Sequence, residues 1–281
     1  MDHISSIPAM QELSRSWQLQ GHSIGLVPTM GYLHEGHLSL IRAAKTNGAK
    51  KVIVSIFVNP TQFGPKEDLA KYPRDLKKDT MLCEQEGADV IFCPTPEEMY
   101  PQGYSTWVLE EQLSGPLCGA SRPGHFRGVT TVVTKLFLAC LPDLAVFGQK
   151  DAQQALVLQR MARDLNFPIK LVIAPIVREP DGLAMSSRNV YLTPDERLRA
   201  LSIRRGLDQA EQAFAKKERQ ASSLIALVQA CIESHGGIVD YIEVRDLNSL
   251  DFQQEITTPC LLAVAAAFGK ARLLDNIVLH P

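Results

Sequence analysis

Over the first two thirds of the chain, short runs rich in Val, Ile and Phe alternate with longer segments whose apolar residues recur every three or four positions. SIGLVPT (23–29), KVIVSIFVN (51–59), ADVIFCP (88–94), DLAVFG (143–148) and KLVIAPIV (170–177) are nearly continuous apolar runs, as in parallel strands buried on both faces. Between them, GHLSLIRAAKTNG (36–48), RDLKKDTMLCEQEG (74–87), VTTVVTKLFLACL (129–141) and DAQQALVLQRMARDLN (151–166) have helical spacing. Gly48 and Gly87 stand where a helix C-terminus favours a left-handed residue. Strand, helix, strand in this order predicts a doubly wound, Rossmann-like α/β fold, whose ligands bind beyond the carboxyl ends of the strands.

The texture changes after Glu179. PDGLAMSSRNVYLTP (180–194) leads to helical stretches over Pro194 to Lys217 and Gln220 to Glu233. VDYIEVRD (239–246), CLLAVAAAF (260–268) and ARLLDNIVL (271–279) then read as strands of a smaller α+β unit. The expected division is 1–176 and 177–281.

Composition narrows the partners. The chain has 281 residues, 45% of them hydrophobic, enough for a sizeable core; its 29 basic and 31 acidic residues give a net charge of -2. That balance offers no electrostatic footprint for nucleic acid or an anionic membrane, so small molecules are the expected partners. Six scattered cysteines without a C-x-x-C pair read as reduced thiols, which points to the cytoplasm. The N-terminus lacks the basic start and apolar core of a signal peptide, and no membrane span is expected.

Candidate chemistry starts in LVPTMGYLHEGHLSLI (26–41), where the strand is expected to end near Val27 and a helix to start near Glu35 or Gly36. His34 and His37 then sit at a helix N-terminus, where unpaired N–H groups and the helix dipole favour an anion such as a phosphate chain. Taken alone, the pair also fits a helix cap plus a solvated histidine, and a zinc site lacks a third local ligand. The other strand-to-helix loops add company. Asn59 and Gln62 offer neutral amides for a small hydroxy acid, or simply build a polar turn. GQKDAQQAL (148–156) places Lys150 for phosphate, Asp151 for ribose or as an N-cap, and Gln154 one turn further on. Ser186, Ser187 and Arg188 can embrace outer phosphates, or form an ordinary surface turn. SGPLCGASRPGHFRG (114–128), with Arg122, His125 and Arg127, reads as a basic lid or merely a long connection.

Met30 to His37, Gln62, GQKD, Gln154 and MSSRN, in this order and spacing, closely resemble the pantoate–β-alanine ligase (pantothenate synthetase) family, with H-x-G-H and the serine-rich loop similar to the two ATP signatures of class I aminoacyl-tRNA synthetases. The resemblance implies a Rossmann-like nucleotidyltransferase domain with a smaller C-terminal domain covering the active site, a homodimer, and ATP-dependent condensation of pantoate with β-alanine through pantoyl adenylate. It implies ATP contacts at Met30, Gly31, Tyr32, Leu33, His34, Glu35, Gly36, His37, Gly148, Gln149, Lys150, Asp151, Val177, Met185, Ser186, Ser187 and Arg188. Gln62 and Gln154 take the place of the pantoate-binding glutamines, and His37 that of the family's proton donor. His34, His37, Lys150 and Arg188 become the catalytic set, with Mg²⁺ accompanying ATP. Tyr32 and Met185 depart from the residues usual at those positions, without changing the chemistry the motif needs.

Overall fold

A computed structural model describes residues 1–65, 67 and 69–281; Lys66 and Asp68, in a stretch expected to be a solvated loop, lie outside the described residues. The chain divides into two compact units, Met1–Ser114 with Arg122–Gln149 and Gln153–Pro175, and Gly115–Ser121 with Lys150–Ala152 and Ile176–Pro281.

In chain order the elements of the first unit are β1 (Asp2–Ile4), α1 (Ile7–Leu19), β2 (Ile24–Thr29), α2 (Glu35–Thr46), β3 (Lys51–Ile56), α3 (Leu76–Gln85), β4 (Val90–Phe92) and α4 (Pro96–Met99). After α5 (Cys118–Ser121), which belongs to the second unit, come α6 (His125–Cys140), β5 (Leu144–Gly148), α7 (Ala152–Asp164) and β6 (Lys170–Ala174). All six strands pair in parallel in the order β1-β4-β3-β2-β5-β6. The chain therefore winds away in both directions from β2 and β5, and the gap between their carboxyl ends is the switch point where such sheets bind ligands.

β2 runs through Pro28 to Thr29, two residues past the expected end. The reason lies in the pairing. β2 pairs with β5 only at Gly25 and Leu26, so the N–H that Pro28 lacks removes no ladder bond there, while Val27 to Thr29 continue in register with β3. α2 packs Leu38, Ile41 and Ala44 against Val27, Val52, Val54 and Val146, sealing one face of the sheet.

β1 and α1 were not anticipated. β1 is a three-residue edge strand; α1 carries a Ser6 N-cap, Pro8 in its first turn and buried Met10, Ser14 and Trp17 at helical spacing.

The second unit contains α8 (Pro194–Ala200), α9 (Ser202–Ala215), α10 (Ala221–Ser234), β7 (Ile238–Asp246), β8 (Cys260–Phe268) and β9 (Ala271–Leu279). The single helix expected over Pro194 to Lys217 is two, broken at Leu201, which ends one and caps the next. The three strands form an antiparallel sheet with β8 central. Leu207, Leu224 and Val228 of the helices share a core with Leu262, Val264, Leu273 and Ile277 of the sheet.

All six cysteines are free, and burial pushes the Cys83 thiol up to about 12. Among the described residues, no helix is long and apolar enough to cross a membrane.

Candidate active site

The turn from β2 into α2 is built by its own backbone. Gly31 and Tyr32 both take left-handed conformations, φ 81° and 53°, which swing the chain off the strand. His34 is the N-cap of α2: its Nδ1 accepts from Gly36 N at 3.2 Å, and His37 Nδ1 accepts from His34 N at 3.3 Å. The capping role considered for His34 is therefore real, and it fixes the chemistry of both rings. A nitrogen that accepts from a backbone N–H holds no proton, so each ring carries its hydrogen on Nε2. The two ring centroids lie 4.1 Å apart at the helix mouth, with the rings tilted at 42° to each other. The result is a pair of neighbouring Nε2–H donors added to the positive end of a helix.

A group that the sequence reading missed locks this turn. Asp79 of α3, 1% exposed, accepts from Tyr32 N at 2.8 Å and Leu33 N at 2.7 Å. Burial raises its pKa above the ordinary carboxylate value, against the pull of those two bonds.

Gln62 lies beside this turn: its Nε2 donates to Met30 Sδ at 3.3 Å. Five neighbours position it, directly or through one another. Asn59 Nδ2 donates to Gln62 Oε1 and to Gly128 O, each at 3.1 Å, and Tyr100 OH donates to Asn59 Oδ1 at 2.8 Å. Burial pushes the Tyr100 phenol up to about 12, so it remains a donor. Gly128 allows α6 to approach: a Cβ there would lie 2.5 Å from Thr61 O. Arg122 donates to His125 Nε2 at 3.0 Å, which places that ring's proton on Nδ1 for the 2.9 Å bond to Gln62 O.

The basic loop expected over 114–128 is largely structured. α6 already begins at His125, Arg122 is paired with Glu67 at 2.7 Å, and the Arg127 guanidinium lies 4.7 Å over the Trp107 ring. Two of the cations suggested for a lid are thus engaged within the first unit.

β5 ends at Gly148, and Gln149–Asp151 form a short 3-10 turn leading into α7, whose first turn holds half-buried Gln154. In the second unit Lys150 Nζ lies 3.4 Å from Asp151 Oδ2. Lys150 and Ser186 line one cleft, together with Leu183, Ala184, Leu274 and Asp275. Ser186 caps the 3-10 turn Ser187–Tyr191 by accepting from Arg188 N at 3.2 Å. Met185 N donates to Val177 O at 3.0 Å, so Val177 and Met185 close a hairpin. Asn189 Nδ2 donates to Glu179 Oε1 at 2.7 Å and Ala184 O at 3.2 Å, and Arg197 pairs with Glu179 and Asp181.

The structure thus gathers Met30 to His37 with Gln62 in the first unit, and Lys150 with Ser186 on a cleft of the second. A doubly wound sheet with paired imidazoles at the helix mouth beside its switch point defines a Rossmann-like α/β protein equipped for an anionic ligand. A family model described as Pantoate-beta-alanine ligase matches residues 2–278, and the chain belongs to that family. It is 55% identical over 277 residues to the pantothenate synthetase of Pelotomaculum thermopropionicum, covering 98% of this chain and 97% of that one. The crystal structure of pantothenate synthetase from Thermus thermophilus superposes with a TM-score of 0.93 at 40% identity, covering 100% of both chains. A pantoate–β-alanine ligase from Francisella tularensis, complexed with beta-gamma ATP and beta-alanine, gives 0.82 at 33% identity, covering 99% of this chain and 97% of that one.

Proposed function

We propose that the chain condenses pantoate with β-alanine in two steps. The pantoate carboxylate attacks the α-phosphate of Mg-ATP, giving pantoyl adenylate and pyrophosphate; the β-alanine amine then attacks the mixed anhydride, giving pantothenate and AMP. The single observation that carries this reading is the contact between Gln62 and Met30, because it sets an amide for the acid beside the turn that bears His34 and His37.

In this reading the ATP site comprises Met30 to His37, Gly148 to Asp151, Val177 and Met185 to Arg188. Gln62 and Gln154 hold the acid. Neutral amides orient a carboxylate without adding a charge that would stabilise it against attack. Lys150 and Arg188 offset phosphate charge, and the imidazoles donate Nε2–H bonds to phosphoryl oxygens as charge builds during displacement. A neutral ring with its proton on Nε2 shares that proton without releasing it, so His37 acts as an electrostatic stabiliser rather than an acid. Magnesium would accompany the nucleotide, because Mg²⁺ is commonly held by substrate phosphates with one or two carboxylates. Residues 1–176 hold ATP and pantoate, residues 177–281 supply the Met185–Arg188 arm, and the enzyme works as a cytoplasmic homodimer.

The test is separation of the half-reactions. Pyrophosphate should form with pantoate and ATP alone, whereas AMP and pantothenate should require β-alanine; absence of pantoate-dependent pyrophosphate overturns the reading. His37→Ala and Lys150→Ala should each slow adenylate formation about 10²- to 10³-fold with the fold intact. Gln154→Ala should mainly raise the KM for pantoate. Histidine variants within about threefold of the parent, with adenylate formation still rate-limiting, would remove the imidazoles from the phosphate site.

A further inference from the structure

The strand ARLLDNIVL ends the chain far in sequence from the loops described above, yet two of its residues reach both arms of the second unit's cleft. Asp275 and Asn276 are each 3% exposed, on β9, an edge strand of the three-stranded sheet. Asp275 accepts from both ends of the Arg178 guanidinium, at 2.6 and 2.9 Å. Arg178 follows Val177, and its Nη1 also donates to Gly182 O at 3.2 Å within the hairpin that leads to Ser186. Asn276 Nδ2 donates to the Lys150 carbonyl at 3.1 Å, and Asn276 N donates to Asp275 Oδ1 at 2.8 Å. Successive residues of a strand point to opposite faces. Asp275 follows Ala271 and Leu273 on the face that packs against α9 and α10, and Asn276 occupies the other. Two adjacent side chains therefore hold two separate segments that line one cleft.

We propose that Asp275 and Asn276 are a positioning pair, registering the Lys150 turn and the Val177–Arg188 arm from a single strand. The inference rests on the reading of Lys150 as a phosphate-binding group. Neither residue is placed against a reacting atom. A buried aspartate bidentate to arginine is directional, and the amide fixes the main chain from which the lysine side chain springs. Misplacement of a charge by about 1 Å can cost 10²-fold in rate, so a distant positioning bond can have a catalytic effect.

The test is a double-mutant cycle on pantoate-dependent pyrophosphate formation, with the second half-reaction followed separately on supplied pantoyl adenylate. Asn276→Asp keeps shape and removes the donor; Asn276→Ala removes both. Each should lower the rate of the first half-reaction about 10- to 100-fold while the KM for pantoate stays within about twofold. In a Lys150→Ala background the same changes should add little, because they act through that lysine. Asn276 variants that retain the parent rate, or whose effect multiplies with that of Lys150→Ala, overturn the positioning role. A Lys150→Ala enzyme with undiminished pyrophosphate formation instead overturns the lysine reading beneath it. If Asn276→Ala does not fold, Asn276→Asp carries the same test.

Discussion

The Met30–His37 turn and the Val177–Arg188 arm are both loops that end in a helical turn, yet they are held in different ways. The first is stiffened mainly by neighbours within three residues: left-handed Gly31 and Tyr32, and imidazole bonds from His34 N and Gly36 N. Its main outside support is one carboxylate, Asp79. The second is held by charged side chains drawn from afar, with Arg178 on Asp275 and Glu179 shared between Asn189 and Arg197. A locally bonded turn keeps its shape through its own backbone; one held by ion pairs depends on remote positions and on their ionisation.

Removing a remote partner from the second loop should have the larger effect on stability. Asp275→Ala leaves Arg178, whose side chain is 22% exposed, facing a buried site without its carboxylate. A loss of about 3 kcal/mol is expected from urea unfolding, the lower end of the range for breaking a buried pair because one partner retains some water. Asp79→Ala strands the Tyr32 and Leu33 N–H groups at the edge of the first loop, and should cost about 2 kcal/mol with a drop in adenylate formation. If Asp79→Ala proved the costlier of the two, the contrast between local and remote support would fail.

Smaller effects should appear with pH. Glu67 has a folded pKa below its unfolded value of 4.5: burial pushes it up, but the hydrogen bond and charge of Arg122 outweigh that. Its contribution to stability is therefore complete above 4.5 and is lost as pH falls through the lower folded value. Asp79 runs the other way. Its folded pKa, raised chiefly by burial, lies above 3.8, so the proton-linked part of its contribution, separate from its two hydrogen bonds, is present below 3.8 and lost as pH rises through the folded value. Urea midpoints measured across the acid range should show Glu67→Gln converging on the parent at low pH, whereas the Asp79→Asn difference should shift in the opposite sense. Parallel curves for the two variants would contradict this.

The same contrast decides what a lone sequence reveals. The parallel sheet and the imidazole turn were legible because continuous apolar runs, helical spacing and an H-x-G-H at a strand-to-helix junction are local signals. α1 carries equally local signals in Ser6, Pro8 and the spacing of Met10, Ser14 and Trp17. The break at Leu201 carries no Gly or Pro, and the apolar period runs on across it. The scaffolding was not legible at all. Asp79 meets a turn 47 residues away, Tyr100 meets Asn59 at 41, and Asp275 meets Arg178 at 97. Nothing in the pattern around an aspartate says which distant backbone or guanidinium it will meet; only the packed fold brings them together.

The smallest effect should come from the solvated face of the same helix that begins with the two histidines. Arg42 bridges Glu35 and Glu86, with about 44% of its side chain exposed. Such pairs gain little in water, because screening and the entropy of holding long side chains offset the attraction; Arg42→Ala should cost less than about 1 kcal/mol. The histidine bonds lie on the backbone and do not pass through Arg42, so pantoate-dependent pyrophosphate formation should stay within about twofold of the parent. A large loss of rate in Arg42→Ala would mean that the turn depends on this exposed network after all, and would place the first loop with the second as a structure held by charged side chains.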